Sequence, residues 1–205
     1  MAGDFAESGP LTVEVSRKRS VPFTPPVSLV NGLSLRAFNS LYWRKAPASR
    51  RRAIVGYDPF FYPLDAVLRW NRIYGPRGFQ QYQALIPAAE ARVGIEALLA
   101  AVAASGTGSF LAVLKRCGDV PSPGLLSFPQ PGTTLALDFP QDEQLTARLF
   151  PRLDAIVRET GGRLYPAKDA HMSGADFRRS YPAWSRIEAH RDPALMSRFW
   201  QRVTQ

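Results

Sequence analysis

The chain has 205 residues, of which 45% are hydrophobic and 21% are charged. These proportions are ordinary for a globular protein, and the length suits one domain or one domain with an appendage. The single cysteine, Cys117, excludes an internal disulfide, and the two histidines lie far apart, so we expect no metal site. Because the sequence has neither a signal-peptide pattern nor an apolar run long enough to cross a bilayer, it predicts a cytoplasmic protein.

Positive charge is the one unusual bulk property of the chain, with a formal net value of +9. The basic residues cluster at two places, Arg17, Lys18 and Arg19, and then Arg44, Lys45, Arg50, Arg51 and Arg52. Such clusters attract phosphate groups, which predicts peripheral contact with an anionic inner membrane surface or with a phosphorylated substrate. No nucleic-acid recognition motif accompanies them, so we expect no nucleic-acid partner. Solvated loops without a dedicated partner are the plain alternative.

Prolines and apolar spacing organise the first part of the chain. Residues 1–29 contain VPFTPP, where three prolines block regular structure, which predicts an extended and poorly ordered lead-in. From Leu33 onward, apolar residues recur at helical spacing until Pro47, which predicts a helix.

Strand and helix patterns alternate between residues 79 and 165. Strands are predicted at 79–86, 110–115, 133–139 and 163–165, and helices at 88–104 and 141–160. The order is β-α-β-β-α-β, which predicts an α+β fold with two helices over one face of an antiparallel sheet. The other face is left free for a ligand, and we therefore place a substrate-binding domain at residues 30–165.

A tail at residues 166–205 has a different character. Asp192 followed by Pro193 predicts the start of a last short helix with Leu195, Phe199 and Val203 along one side. Aromatic residues are frequent in this tail, namely Phe177, Tyr181, Trp184, Phe199 and Trp200. The predicted sheet already has its helical cover, so these side chains predict an exposed apolar docking surface.

Polar side chains recur on one face of the predicted sheet. Residues two apart on a strand share a face, which groups Gln81 with Gln83, and Thr134 with Ala136 and Asp138. Lys115 lies on the same face of its strand as Val113. Glutamine amides both donate and accept hydrogen bonds, as a polyhydroxylated sugar requires, and a lysine suits a phosphate or a negatively charged flavin ring. Solvated glutamines and a surface lysine are the plain alternatives.

The segment GGRLYPAKD at residues 161–169 presents a further charge. Two glycines permit the left-handed turn that ends a helix, the next residues can run extended, and Pro166 stops the strand. Lys168 is thereby held in a loop three residues after the aromatic Tyr165, where it could face a ligand. Tyr165 is most simply explained as a sheet-face aromatic with its hydroxyl toward solvent.

Four segments carry a resemblance to a known family: residues 61–87, FLAVLK at 110–115, LSFPQPGTTLALDFP at 126–140, and GGRLYPAKD. Together they resemble the carboxy-terminal half of the decaprenylphosphoryl-β-D-ribose 2'-oxidase family. That family consists of FAD-linked oxidases of the vanillyl-alcohol oxidase type and is related to the sugar-lactone oxidases. The resemblance implies that this chain is the substrate domain above the flavin, with the tail completing the flavin domain.

The resemblance also implies roles for particular residues. Substrate would be bound by residues of the pocket, namely Phe61, Gln81, Gln83, Lys115 and Thr134. Tyr165 and Lys168 would lie at the flavin edge, and Lys168 would be catalytic by favouring the charge that develops as hydride leaves the sugar C2 for flavin N5. Ala136 stands where some members of the family carry a cysteine.

The activity implied is oxidation of the 2'-hydroxyl of a polyprenyl-phosphate-linked pentose, as half of a 2'-epimerisation completed by a short-chain reductase. A sugar-1,4-lactone oxidase is the alternative within the same fold. Because the sequence contains no glycine-rich flavin-binding segment, we expect weak FAD binding, a separate flavin-binding domain or chain as partner, and no activity of this chain alone. A non-catalytic binding subunit, or a fragment without its flavin domain, is the alternative of another class.

Overall fold

The computed structural model describes residues 6–9, 18–45, 53–62, 65–109, 111–168 and 171–205, without the side chains of Pro59 and Phe61. The sequence predictions for Arg17, for residues 50–52 and for Phe110 therefore lie outside the described residues. The chain divides into two compact units, residues 1–29 with 36–78, and residues 30–35 with 79–205.

The first unit contains a short parallel strand pair and several helices. Strand β1, Arg19–Ser20, pairs with β2, Val67–Leu68. The helical segments are most of α1, Gly32–Lys45, whose first turn belongs to the second unit, then α2, Tyr57–Phe61, and a 3-10 helix at Trp70–Tyr74. The Arg72 guanidinium donates to the carbonyl oxygens of Val21 and Pro22 at 3.0 and 2.6 Å. Part of the predicted lead-in is thus hydrogen-bonded to the end of this unit.

The second unit is built on a four-stranded antiparallel sheet. In chain order its elements are β3, Phe79–Pro87, α3, Ala91–Ala104, β4, Ala112–Cys117, β5, Gly132–Pro140, α4, Glu143–Glu159, and β6, Arg163–Leu164. The strand order is β4-β5-β3-β6, and every neighbouring pair is antiparallel. The predicted β-α-β-β-α-β arrangement and the α+β class are confirmed.

Local sequence signals explain where helix α4 begins and ends. The Asp142 carboxylate accepts hydrogen bonds from the backbone N–H groups of Gln144 and Leu145, both at 3.0 Å, which caps the first turn. Gly161 has φ +65° and stops the helix in the left-handed conformation. A side chain at Gly162 would place its Cβ 2.6 Å from the Leu85 carbonyl oxygen, so only glycine permits this close approach to β3.

The hydrophobic core lies between the sheet and the helices α3 and α4. Alternate sheet residues enter it, namely Tyr82, Ala84, Ile86, Leu135, Leu137 and Phe139, and the helices add residues such as Leu98 and Leu153. The intervening residues occupy the opposite face of the sheet. The strand register places Gln81 opposite Asp138, Gln83 opposite Ala136 and Lys115 opposite Thr134. The predicted grouping of polar residues on one face is therefore confirmed.

The tail packs into the core of the second unit and does not stand apart from it. Its helices are α5, Gly174–Ser180, α6, Trp184–Glu188, and α7, Arg198–Thr204. Phe177 is 0% exposed and Tyr181 2%, and the Tyr181 hydroxyl donates to the Leu164 carbonyl oxygen at 2.6 Å. The prediction of an exposed aromatic docking surface is wrong for these residues. They are part of the core cluster and pack beside β6, the edge strand of the sheet.

The last helix also begins later than the sequence predicts. The Asp192 carboxylate accepts from the Ala194 backbone N–H at 2.9 Å within a turn, and Leu195 is 69% exposed. Helix α7 instead begins after Ser197, whose hydroxyl accepts from the Trp200 backbone N–H at 3.0 Å. Both are good capping residues, so local sequence alone does not decide between them.

Candidate functional site

A small cleft lies at the edge of the sheet beside β3. Strand β6 pairs only with Ala84 and Leu85, and the chain then turns away. The Tyr165 backbone N–H still donates to the Gln83 carbonyl oxygen at 2.9 Å, after which Pro166–Lys168 forms a 3-10 turn. The cleft is open to solvent and too narrow to hold a water molecule, and it is lined by Gln81, Tyr82, Gln83, Leu164, Tyr165, Lys168 and His171.

Four of the predicted site residues meet in this cleft. Gln81 and Gln83 are half-buried on β3, while Tyr165 and Lys168 come from the turn after β6. The Tyr165 ring is half-buried and stacks on Phe128 with centroids 4.5 Å apart, whereas Lys168 is exposed. A stacked aromatic ring and an exposed positive charge three residues later therefore lie beside two amides. Such a set can bind hydroxyl groups and an anion.

The other predicted site residues lie elsewhere. Lys115 is exposed on β4, and Thr134 is buried opposite it on β5. Both belong to the face of the sheet that α3 and α4 do not cover, which we call the uncovered face, but neither lines the cleft. Phe61 is the last residue of α2, and its side chain lies outside the described residues. The structure thus brings together Gln81, Gln83, Tyr165 and Lys168.

Asp138 is a charged residue of the uncovered face that the site prediction did not include. It is 1% exposed, and neither carboxylate oxygen accepts a hydrogen bond of normal geometry from any described residue. Burial raises the pKa of its carboxyl group, while the nearby Gln81 amide and the positive charge of Lys168 lower it. The alternation of the strand TLALDF places Asp138 on the same face as Thr134 and Ala136, but it does not predict that the carboxylate is buried there.

A second buried polar group lies under the cleft. The Tyr82 hydroxyl donates to the Asp154 carboxylate at 2.9 Å, and His171 Nε2 lies 3.3 Å from the same oxygen. The Tyr82 and His171 rings also stack, with centroids 5.7 Å apart. Burial, followed by the charge and hydrogen bond of Asp154, raises the pKa of the Tyr82 hydroxyl well above its usual range. Sequence periodicity could not find this group, because its members lie on three separate segments.

Comparison with known proteins identifies the relatives of this chain. No protein-family model matches it. Decaprenylphosphoryl-β-D-ribose oxidase of Mycolicibacterium smegmatis is 35% identical over 193 residues, which cover 91% of this chain. The chain belongs to the decaprenylphosphoryl-β-D-ribose oxidase family. It matches the carboxy-terminal part of that oxidase and spans 40% of its length.

Membership of the decaprenylphosphoryl-β-D-ribose oxidase family confirms the resemblance carried by the sequence motifs. The matched relative is an oxidase by name. The helices of the described residues include none that is both long and apolar enough to span a membrane.

Proposed function

We propose that this chain is the substrate-binding portion of an FAD-linked oxidoreductase that oxidises the 2'-hydroxyl of a polyprenyl-phosphate-linked pentose. The observation that carries the proposal is the cleft shared by Gln81, Gln83, Tyr165 and Lys168, in a chain whose relative is named as an oxidase of a prenylphosphoryl ribose. The ketone formed would then be reduced by a short-chain reductase, which completes a 2'-epimerisation.

The residues of the uncovered face supply contacts for such a substrate. The amides of Gln81 and Gln83 can each donate to and accept from sugar hydroxyl groups. The Lys115 ammonium is exposed at the β4 side of the face, where it can pair with the phosphate that links sugar to lipid. Thr134 Oγ1 is buried without a partner among the described residues, so a ligand hydroxyl would satisfy it.

Tyr165 and Lys168 fit the edge of a flavin ring but not a whole FAD. The cleft is too narrow to hold a water molecule, whereas a cofactor pocket measures roughly 300 Å³ or more, so these residues would contact only the edge of the ring. A bound FAD would supply the hydride acceptor for oxidation of the sugar hydroxyl. The Lys168 ammonium would stabilise negative charge at the ring, and the Phe128 stack would hold Tyr165 against it.

A colour assay tests the proposal. The 205-residue chain alone should elute from gel filtration without yellow flavin, because the described residues offer only a ring-edge contact. Joined to the amino-terminal portion of the Mycolicibacterium oxidase, it should retain FAD, and a short-chain prenylphosphoryl ribose should bleach the flavin absorbance without oxygen. Bleaching by a sugar-1,4-lactone but not by the prenylphosphoryl ribose would contradict the proposed substrate. A yellow hybrid that no sugar bleaches would contradict the oxidase proposal itself.

A further inference from the structure

Asp138 occupies a fixed and buried position on the uncovered face of the sheet. The strand register places it directly opposite Gln81, and it is 1% exposed. Its backbone N–H donates to the Ser109 hydroxyl at 2.7 Å, and that hydroxyl donates in turn to the Leu111 carbonyl oxygen. These hydrogen bonds fix the backbone of β5 at Asp138, from which the carboxylate extends.

The carboxylate itself is not satisfied by the described residues. Neither oxygen accepts a hydrogen bond of normal geometry, although a buried charge without donors is among the costliest groups in a folded protein. Gln81 faces it from β3, and Lys168 approaches from the turn after β6. From β4, Lys115 faces Thr134 further along β5. The Gln81 amide and the Lys168 ammonium, which both line the cleft, are thus the nearest donors available to the Asp138 carboxylate.

We propose that Asp138 is a positioning residue of the cleft, whose carboxylate takes up one N–H of the Gln81 amide and draws the Lys168 ammonium inward when ligand binds. A carboxylate can only accept hydrogen bonds, so the NH₂ group of Gln81 has to face it. The Gln81 carbonyl oxygen is then presented to the ligand, where it accepts from a hydroxyl group. An unsupported glutamine could present either end of its amide and would select a hydroxyl less well.

The pH dependence of stability separates this role from a structural one. Burial raises the pKa of Asp138, so the native state keeps this proton at pH values where the unfolded chain has lost it. Stability therefore falls as pH rises above the ordinary carboxyl range of about 4 and through the raised value. Asp138→Asn removes the titration, so the variant should be at least as stable as the parent at neutral pH. If the carboxylate served only to stabilise the fold, Asp138→Asn would instead lower the free energy of unfolding of the protein.

Carboxyl-carbon NMR titration of the 205-residue chain tests the arrangement directly. We expect the Asp138 midpoint to lie above that of an unperturbed aspartate and to rise further in Gln81→Leu and in Lys168→Met. Lys115→Met is the matched control, since it removes an equal charge from the same face and should leave the midpoint unchanged. Identical midpoints in the parent, Gln81→Leu and Lys168→Met would overturn the inference.

The consequence for ligand binding rests on the proposed function and is measured in the hybrid that carries the flavin portion. Asp138→Asn should raise the KM for the prenylphosphoryl ribose about tenfold, with a smaller change in kcat, as loss of one oriented hydrogen bond predicts. An unchanged KM would overturn the inference. If the parent hybrid does not react with this substrate, the proposed function has failed, and the NMR titration still decides the role of Asp138.

Discussion

The 3-10 turn after β6 places Lys168 at the cleft. Its backbone N–H donates to the Tyr165 carbonyl oxygen at 3.1 Å, while its side chain is exposed and contributes positive charge beside Asp138. In the hybrid protein, Lys168→Ala should slow flavin reduction by on the order of 100-fold or more, as removal of one preorganised charge does in other enzymes. Stopped-flow absorbance measures this rate. Arg92→Ala, which removes an exposed charge on α3, is the control, and an equal effect of both changes would contradict a special role of Lys168.

Tyr82 is a residue whose hydroxyl matters for stability. Replacing it with phenylalanine removes the donor at 2.9 Å from Asp154 and should lower the free energy of unfolding by about 1 to 3 kcal/mol. Because the raised pKa lets the native state keep the Tyr82 proton longer than the unfolded chain, parent stability should fall above about pH 10. Urea unfolding should therefore show that the difference in free energy of unfolding between the parent and Tyr82→Phe becomes smaller above about pH 10. Tyr42→Phe, at a 68% exposed ring, is the control and should change little.

At the scale of the elements, helices α5 to α7 complete the core of the second unit. Phe177 contacts the rings of Phe199 and Trp200 edge-on, with centroids 5.6 and 5.8 Å away. Phe177→Ala should cost about 3 to 5 kcal/mol, and truncation after Lys168 should cause unfolding or aggregation. Thermal melts test both changes, with Phe23→Ala at a 68% exposed ring as the control. A stable, monodisperse truncated protein would show that the tail is dispensable after all.

Hydrophobic periodicity predicts the bounds of some strands and helices well. The strand at 132–140 and the helix at 143–159 lie within two residues of their predicted bounds, because hydrophobic periodicity and caps such as Asp142 are local signals. The packing of Phe177 and Tyr181 could not be predicted in this way. The spacing of apolar residues in a tail does not say which surface the tail covers, and here the tail packs into the core beside β6.

At the scale of the whole molecule, the net charge of +9 favours contact with an anionic membrane, where a lipid-linked substrate would be collected. Helix α1 carries exposed Leu41, Tyr42 and Trp43 next to Arg44 and Lys45. Each basic residue near such a surface contributes about 1 kcal/mol, so the double glutamine variant of Arg44 and Lys45 should bind about 30-fold more weakly.

Co-sedimentation with vesicles containing anionic lipid measures this binding, which should also weaken with added salt. The double variant Arg148→Gln, Arg152→Gln removes the same charge from α4 and should have a smaller effect. Binding that is absent, or indifferent to salt and to both variants, would show that the basic residues are simply solvated. The predicted contribution of residues 50–52 lies outside the described part of the chain and stays a prediction.

The sequence by itself determined the α+β class, the order of strands and helices, the polar face of the sheet and the family, since each depends on local periodicity or on matched motifs. Only the tertiary structure decided that Gln81, Gln83, Tyr165 and Lys168 meet in one cleft while Lys115 and Thr134 do not. It also decided that Asp138 is buried beside them without a partner among the described residues. The reason is physical: strand order, the short β6 and the burial of a charge arise from contacts between segments far apart in sequence, which local patterns do not encode.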